Sequence, residues 1–146
     1  MSNNVEKMNP IPQGKYLPAS RFGKMIYTAG MTPRRNGVLI QCGKVKTEAP
    51  VSAYKAAVEQ AAANALTAAT HSLTKNETIG QILALNVYIN AEETFEAHSS
   101  LADFASEYLY QKLGERAIGS RAAIGVGSLP GGAPIEIQLI AVVSDS

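Results

Sequence analysis

Near the end of the chain, PIEIQLIAVV alternates Ile135, Ile137, Leu139, Ala141 and Val143 with Glu136, Gln138, Ile140 and Val142. A period of two predicts a strand, and the apolar residues in both sets predict that both of its faces are covered. TIGQILALNVYINA predicts a second long strand, with Leu83, Leu85, Val87 and Ile89 on one face and Ala84, Asn86 and Tyr88 on the other. From Pro50 the period lengthens. PVSAYKAAVEQAAANALTAATHSLT places Tyr54, Val58, Ala61, Ala65, Leu66, Ala69 and Leu73 on one side of a helix, which Pro50 suits as a first-turn residue. EETFEAHSSLADFASEYLYQKLG predicts a second helix, with Phe95, His98, Leu101, Ala105, Tyr108 and Leu109 in register and Gly114 as its stop. Closer to the N-terminus, KYLPASRFGKMIYTAG predicts strands over 16–21 and 25–29 joined through Gly23. PRRNGVLIQCGKV then supplies an Asn36-Gly37 turn suited to a tight hairpin, with Arg34 and Arg35 as solvated turn charges.

These elements predict an α+β fold with a single mixed β-sheet of about five or six strands and two helices packed on one face. Two helices cover one face only. A second copy of the chain is the simplest cover for the other, and Glu136 would then point into an interface between subunits. Residues 1–14, MSNNVEKMNPIPQG, are polar and proline-punctuated and predict a flexible arm ahead of one domain over 15–146.

Composition narrows the picture. Charged residues make up 17% of the chain and the formal net charge is +1, so no polyanion partner is expected and no nucleic acid is called for. The single cysteine, Cys42, excludes an internal disulfide and suits a reducing, cytoplasmic setting. No apolar run has membrane-spanning or signal-peptide character, so no membrane partner is expected. The two histidines, His71 and His98, have no ligand spacing with that cysteine, and no metal site is expected. GVGSLPGG lacks the lysine and following helix of a phosphate loop and predicts a turn.

Two charges stand out within apolar sequence. Glu136 interrupts the last strand, and Arg121 precedes it by fifteen residues (136 − 121) across a Gly/Pro-rich turn. One reading is a structural ion pair, or an arginine whose charge reaches water. The other is a pocket in which the guanidinium grips a small carboxylate with two parallel hydrogen bonds. In that pocket a partly desolvated Glu136 would have its pKa raised toward general acid–base use.

SRAAIGVGSLPGGAPIEIQLIAVV resembles the C-terminal signature of the YjgF/YER057c/UK114 family, also called the Rid (reactive intermediate deaminase) family. KYLPASRFGKMIYTAGMTP, the alanine-rich helix with its NAL, and ILALNVYIN extend the resemblance over nearly all of the chain past Gly14. GVGSLP and the long LYQKLGERAIG resemble a side branch with a chorismate-mutase-like fold. The resemblance implies a homotrimer packed by the open sheet faces, with ligand clefts between subunits. It implies cofactor-free hydrolysis of 2-enamine and 2-imine acids, of the 2-aminoacrylate type, to 2-keto acids and ammonia. No cofactor is needed because an imine carbon is already electrophilic.

By motif position, Arg121 would hold the substrate carboxylate, Glu136 would activate water, and Tyr16 would line the pocket. Gly30 and Ala123 would offer backbone groups, and Ser99 or Asp103 falls nearest to a pocket asparagine of active members. Ala29 and Ala123 stand where many members carry serine and cysteine. Two other readings compete with the deaminase: a non-enzymatic, small-carboxylate-binding or chaperone-like trimer, and an RNA-directed role. The absence of a basic stripe and of an aromatic platform weighs against the last.

Overall fold

The computed structural model describes residues 8–145. Its main sheet has five strands: β1 (Ala19–Phe22), β2 (Met25–Thr28), β5 (Glu77–Asn90), β6 (Ser120–Val126) and β7 (Ile135–Asp145). They lie in the order β1-β2-β7-β5-β6, with β5 and β6 parallel and the other neighbours antiparallel. A separate hairpin joins β3 (Arg34–Arg35) to β4 (Val38–Leu39). Two helices, α1 (Lys55–Thr70) and α2 (His98–Leu113), pack on one face of the sheet, as expected for this mixed α+β class. Among the described residues no helix is long and apolar enough to cross a membrane.

The alternation in β7 is realised in full. Ile135, Ile137, Leu139, Ala141 and Val143 are buried under the helices, while Glu136, Gln138, Ile140 and Val142 lie half-buried on the opposite face. On α1 the side toward the sheet and α2 is nearly all alanine: Ala57, Ala61, Ala62, Ala65, Ala68 and Ala69 are buried beside Val58. Short side chains let the helix axis approach closely while keeping the highest helix propensity.

Several expectations are corrected. The first strand begins at Ala19 rather than 16, because Pro18 has no N–H to give the ladder; its carbonyl instead accepts the Ala29 N–H at 2.8 Å. Arg34 and Arg35 form β3, and the turn proper is Asn36-Gly37, with φ of 55° and 82° as a tight hairpin turn requires. Pro50 precedes a single 3-10 turn, Val51–Tyr54, and the α-helix starts only at Lys55.

Leu83 does not share a face with Leu85. Register shifts between Ile79 and Gln81 and between Ile82 and Ala84 each insert one residue, so Ile82 and Leu85 are buried while Leu83 is exposed. The second helix begins at His98; Phe95 is buried from the turn that precedes it, and its ring meets that of His98 edge-on at 5.1 Å. GVGSLPGG is turn chemistry, with Gly131 and Gly132 at φ 66° and 74° in the 3-10 turn Pro130–Gly132. In the expected N-terminal arm, residues 8–14 carry neither helix nor strand, and 1–7 lie outside the described residues.

Candidate functional site

The candidate residues fall into two groups. Arg121 lies on edge strand β6 opposite Leu85, a residue buried on the helix-covered face, and its side chain runs to α2. There Nη1 donates to Asp103 Oδ1 at 2.8 Å and to Ser106 Oγ at 3.0 Å. Nη2 donates to the Ser99 hydroxyl at 2.9 Å and to the Ser99 carbonyl at 3.3 Å. Ser99, Asp103 and Ser106 recur at i, i+4 and i+7, the spacing that puts three side chains on one stripe of a helix. Ala123, two residues beyond Arg121, faces the same way and packs against the core. Ser106 escaped the sequence reading, although its polar stripe with Ser99 and Asp103 was there to be seen.

Glu136 sits on β7 opposite Tyr88, on the face that no helix covers. The loop after β2 runs beside it, because Met31 and Ile137 exchange backbone hydrogen bonds at 2.7 and 2.9 Å. Gly30 is thereby pressed onto the carboxyl group: a Cβ at that position would stand 2.8 Å from Glu136 Cδ. Burial raises the Glu136 pKa above the ordinary carboxylate range. Among the described residues the carboxylate has neither a hydrogen-bond nor an ion-pair partner. Its neighbours on this face are polar as well. Gln138 Nε2 donates to the Thr28 carbonyl at 3.2 Å, and its Oε1 accepts from Asn86 Nδ2 at 3.4 Å. Tyr16 is half-exposed, and its hydroxyl accepts the Gln13 N–H at 3.0 Å. The Pro18–Ala29 hydrogen bond ties this segment to the Gly30 loop.

Arg121 and Glu136 therefore do not meet in a pocket of one chain. Their register partners on β5, Leu85 and Tyr88, point to opposite faces of the sheet. Arg121 gathers Ser99, Asp103 and Ala123; Glu136 gathers Gly30, and Tyr16 lies two residues before Pro18, whose carbonyl holds the Ala29 N–H. A single pocket holding both requires the helix-side edge of one copy against the open face of another. Among the described residues no group of three or more His, Cys, Asp or Glu side chains is placed to hold a metal ion.

A family profile described as Endoribonuclease L-PSP matches residues 6–143. Among solved structures, the protein Atu1372 of unknown function from Agrobacterium tumefaciens is 28% identical, with a TM-score of 0.80 over 89% of this chain and 82% of that one. A Shewanella oneidensis protein described as an endoribonuclease is 26% identical, with a TM-score of 0.83 over 94% and 91% of the two chains. The YjgF gene product of E. coli, 23% identical with a TM-score of 0.63 over 91% of each chain, shares the fold.

Proposed function

The chain belongs to the endoribonuclease L-PSP family, and we propose that it is a cofactor-free hydrolase of 2-imine and 2-enamine acids, acting in clefts of a homotrimer. The observation that carries this reading is Glu136. A half-buried carboxylate with a raised pKa and no partner of its own is costly to keep on an apolar strand. As a general base it has a use.

In the reaction, an enamine acid first tautomerises to its imine. Water then adds through oxygen to the imine carbon as Glu136 takes a proton from it. Glu136 hands that proton to the imine nitrogen, giving the neutral amino alcohol. It then takes the hydroxyl proton as the C=O bond forms and delivers it to the nitrogen; the C–N bond breaks, and ammonia and a 2-keto acid remain. Arg121 of the neighbouring copy anchors the carboxylate, while Gly30 and Tyr16 border the space over Glu136.

A structural role for Arg121 is favoured by a different observation. The terminal nitrogens of Arg121 are already engaged by Asp103, Ser106 and Ser99, as in a clamp between β6 and α2. Ammonia release from 2-aminoacrylate generated in situ separates the two. Acceleration by the wild-type chain, lost in Glu136→Gln, supports the hydrolase; no acceleration overturns it.

A further inference from the structure

We infer that Asp103 is a specificity-determining residue of the proposed site: its carboxylate holds the place of the substrate's on Arg121, and a small acid binds by displacing it. This rests on the reading of Arg121 as the substrate's carboxylate anchor.

The two partners of the ion pair are not equivalent. The Arg121 side chain is 21% exposed and that of Asp103 is 69% exposed, across a contact of 2.8 Å. Ser99 and Ser106 hold the guanidinium from two further directions, at 2.9 and 3.0 Å, so it stays in place when Asp103 swings into water. A cleft of about 520 Å³ opens beside the pair, lined by Asp103, Ser106, Glu107, Tyr110 and Ile118 among others. Its volume leaves ample room for an acid of a few heavy atoms.

An incoming carboxylate exchanges one charge-assisted contact for another and adds no net pairing unless it supplies a second oxygen. Asp103 thus lowers the affinity for every small carboxylate. At the anchor itself its charge also repels a ligand's second negative charge, which selects monocarboxylates over dicarboxylates.

The test is calorimetric titration of the full chain and its variants with 2-oxobutyrate, the unreactive product-type acid, alongside wild-type imine hydrolysis. Removing an exposed competing ion pair predicts that Asp103→Asn binds about two- to fivefold more tightly. Asp103→Ala repeats the result without the amide. Glu107→Gln removes the same charge from the same cleft without touching Arg121, and its affinity should stay within about twofold of wild type. Unchanged or weaker binding in both Asp103 variants overturns the inference. Equal tightening in Glu107→Gln also overturns it, because the effect is then one of general field. Either result with wild-type hydrolysis intact leaves the functional reading standing. Absence of both hydrolysis and binding, in wild type and variants alike, overturns the two together.

Discussion

Gly30 and Glu136 compete for one volume: the glycine's missing side chain is the space that the carboxyl group fills. A Cβ on Gly30 would approach Glu136 Cδ to 2.8 Å and Cγ to 3.0 Å. Gly30 is not among the residues with positive φ, so Gly30→Ala tests the space alone and not the backbone. The Glu136 side chain is the flexible partner and should move. A displacement of about 1 Å at a reacting group costs roughly a hundredfold in rate. Gly30→Ala should therefore keep its fold by circular dichroism and lose about that factor in imine hydrolysis. Full activity would mean that the position of the Glu136 carboxyl group does not matter.

Glu136→Gln should cut hydrolysis by about two to four orders of magnitude, the scale for losing a general acid–base group. The same group shapes stability with a definite sign. Burial raises its pKa above 4.5, so the folded chain holds the proton to higher pH than the unfolded chain does. Its contribution is fully favourable below the unfolded pKa and is lost as pH rises through the raised folded value. Thermal melts should show Glu136→Gln more stable than wild type at pH 7 and equal to it near pH 4. The rate profile of the wild type should fall on the acid side at a pH above the ordinary carboxylate range. A variant less stable at pH 7 would indicate that the carboxylate has gained a partner in the assembled protein.

Arg21 predicts pH behaviour of the opposite sign. Its guanidinium meets Glu77 in a two-pronged contact of 2.7 and 2.8 Å and donates to the carbonyls of Ser72 and Gly23. It thereby fastens edge strand β1 to the start of β5. The Arg21 hydrogen bonds, followed by the Thr74 N–H, hold the Glu77 pKa well below the usual carboxylate value. A depressed pKa contributes stability that is present above the unfolded value and is lost as pH falls through the folded one. Wild-type melting should therefore drop as pH is lowered below about 4, and Glu77→Gln should remove that part of the acid limb while melting lower at pH 7. Parallel acid limbs for the two proteins would show that the pair contributes nothing measurable.

The legible parts of this molecule are those that a local period encodes. The β7 alternation, the alanine face of α1 and the Asn36-Gly37 turn follow from spacing alone. Leu83 was not legible because the residues added at the two register shifts of β5 reset the phase. Phe95 reads as helical because it is apolar at the right spacing, yet it packs from a turn. The hydrogen bonds of Arg121 with α2 were hidden for another reason: they depend on how edge strand β6 pairs with β5. The same pairing puts Arg121 and Glu136 on opposite faces, and no local pattern carries that information.

Opposite faces make the proposed site separable by genetics. If each cleft takes Arg121 from one copy and Glu136 from the next, Arg121→Ala and Glu136→Gln are each inactive alone but repair one another when mixed. Arg121→Lys should be nearly as inactive as Arg121→Ala, since a point charge cannot reproduce two parallel hydrogen bonds. Co-expression of the two inactive chains assembles them at random. A given cleft then has an intact arginine in half of cases and an intact glutamate in half, so about a quarter of clefts are whole. Ammonia release from the mixed preparation should reach about that fraction of the wild-type rate, against almost none for either parent. A site built within one chain gives no recovery at any mixing ratio, because each chain then lacks one of the two groups. Light scattering on the same samples supplies the second reading. Monomers in dilute buffer would remove the neighbouring copy that both the complementation and the hydrolase require.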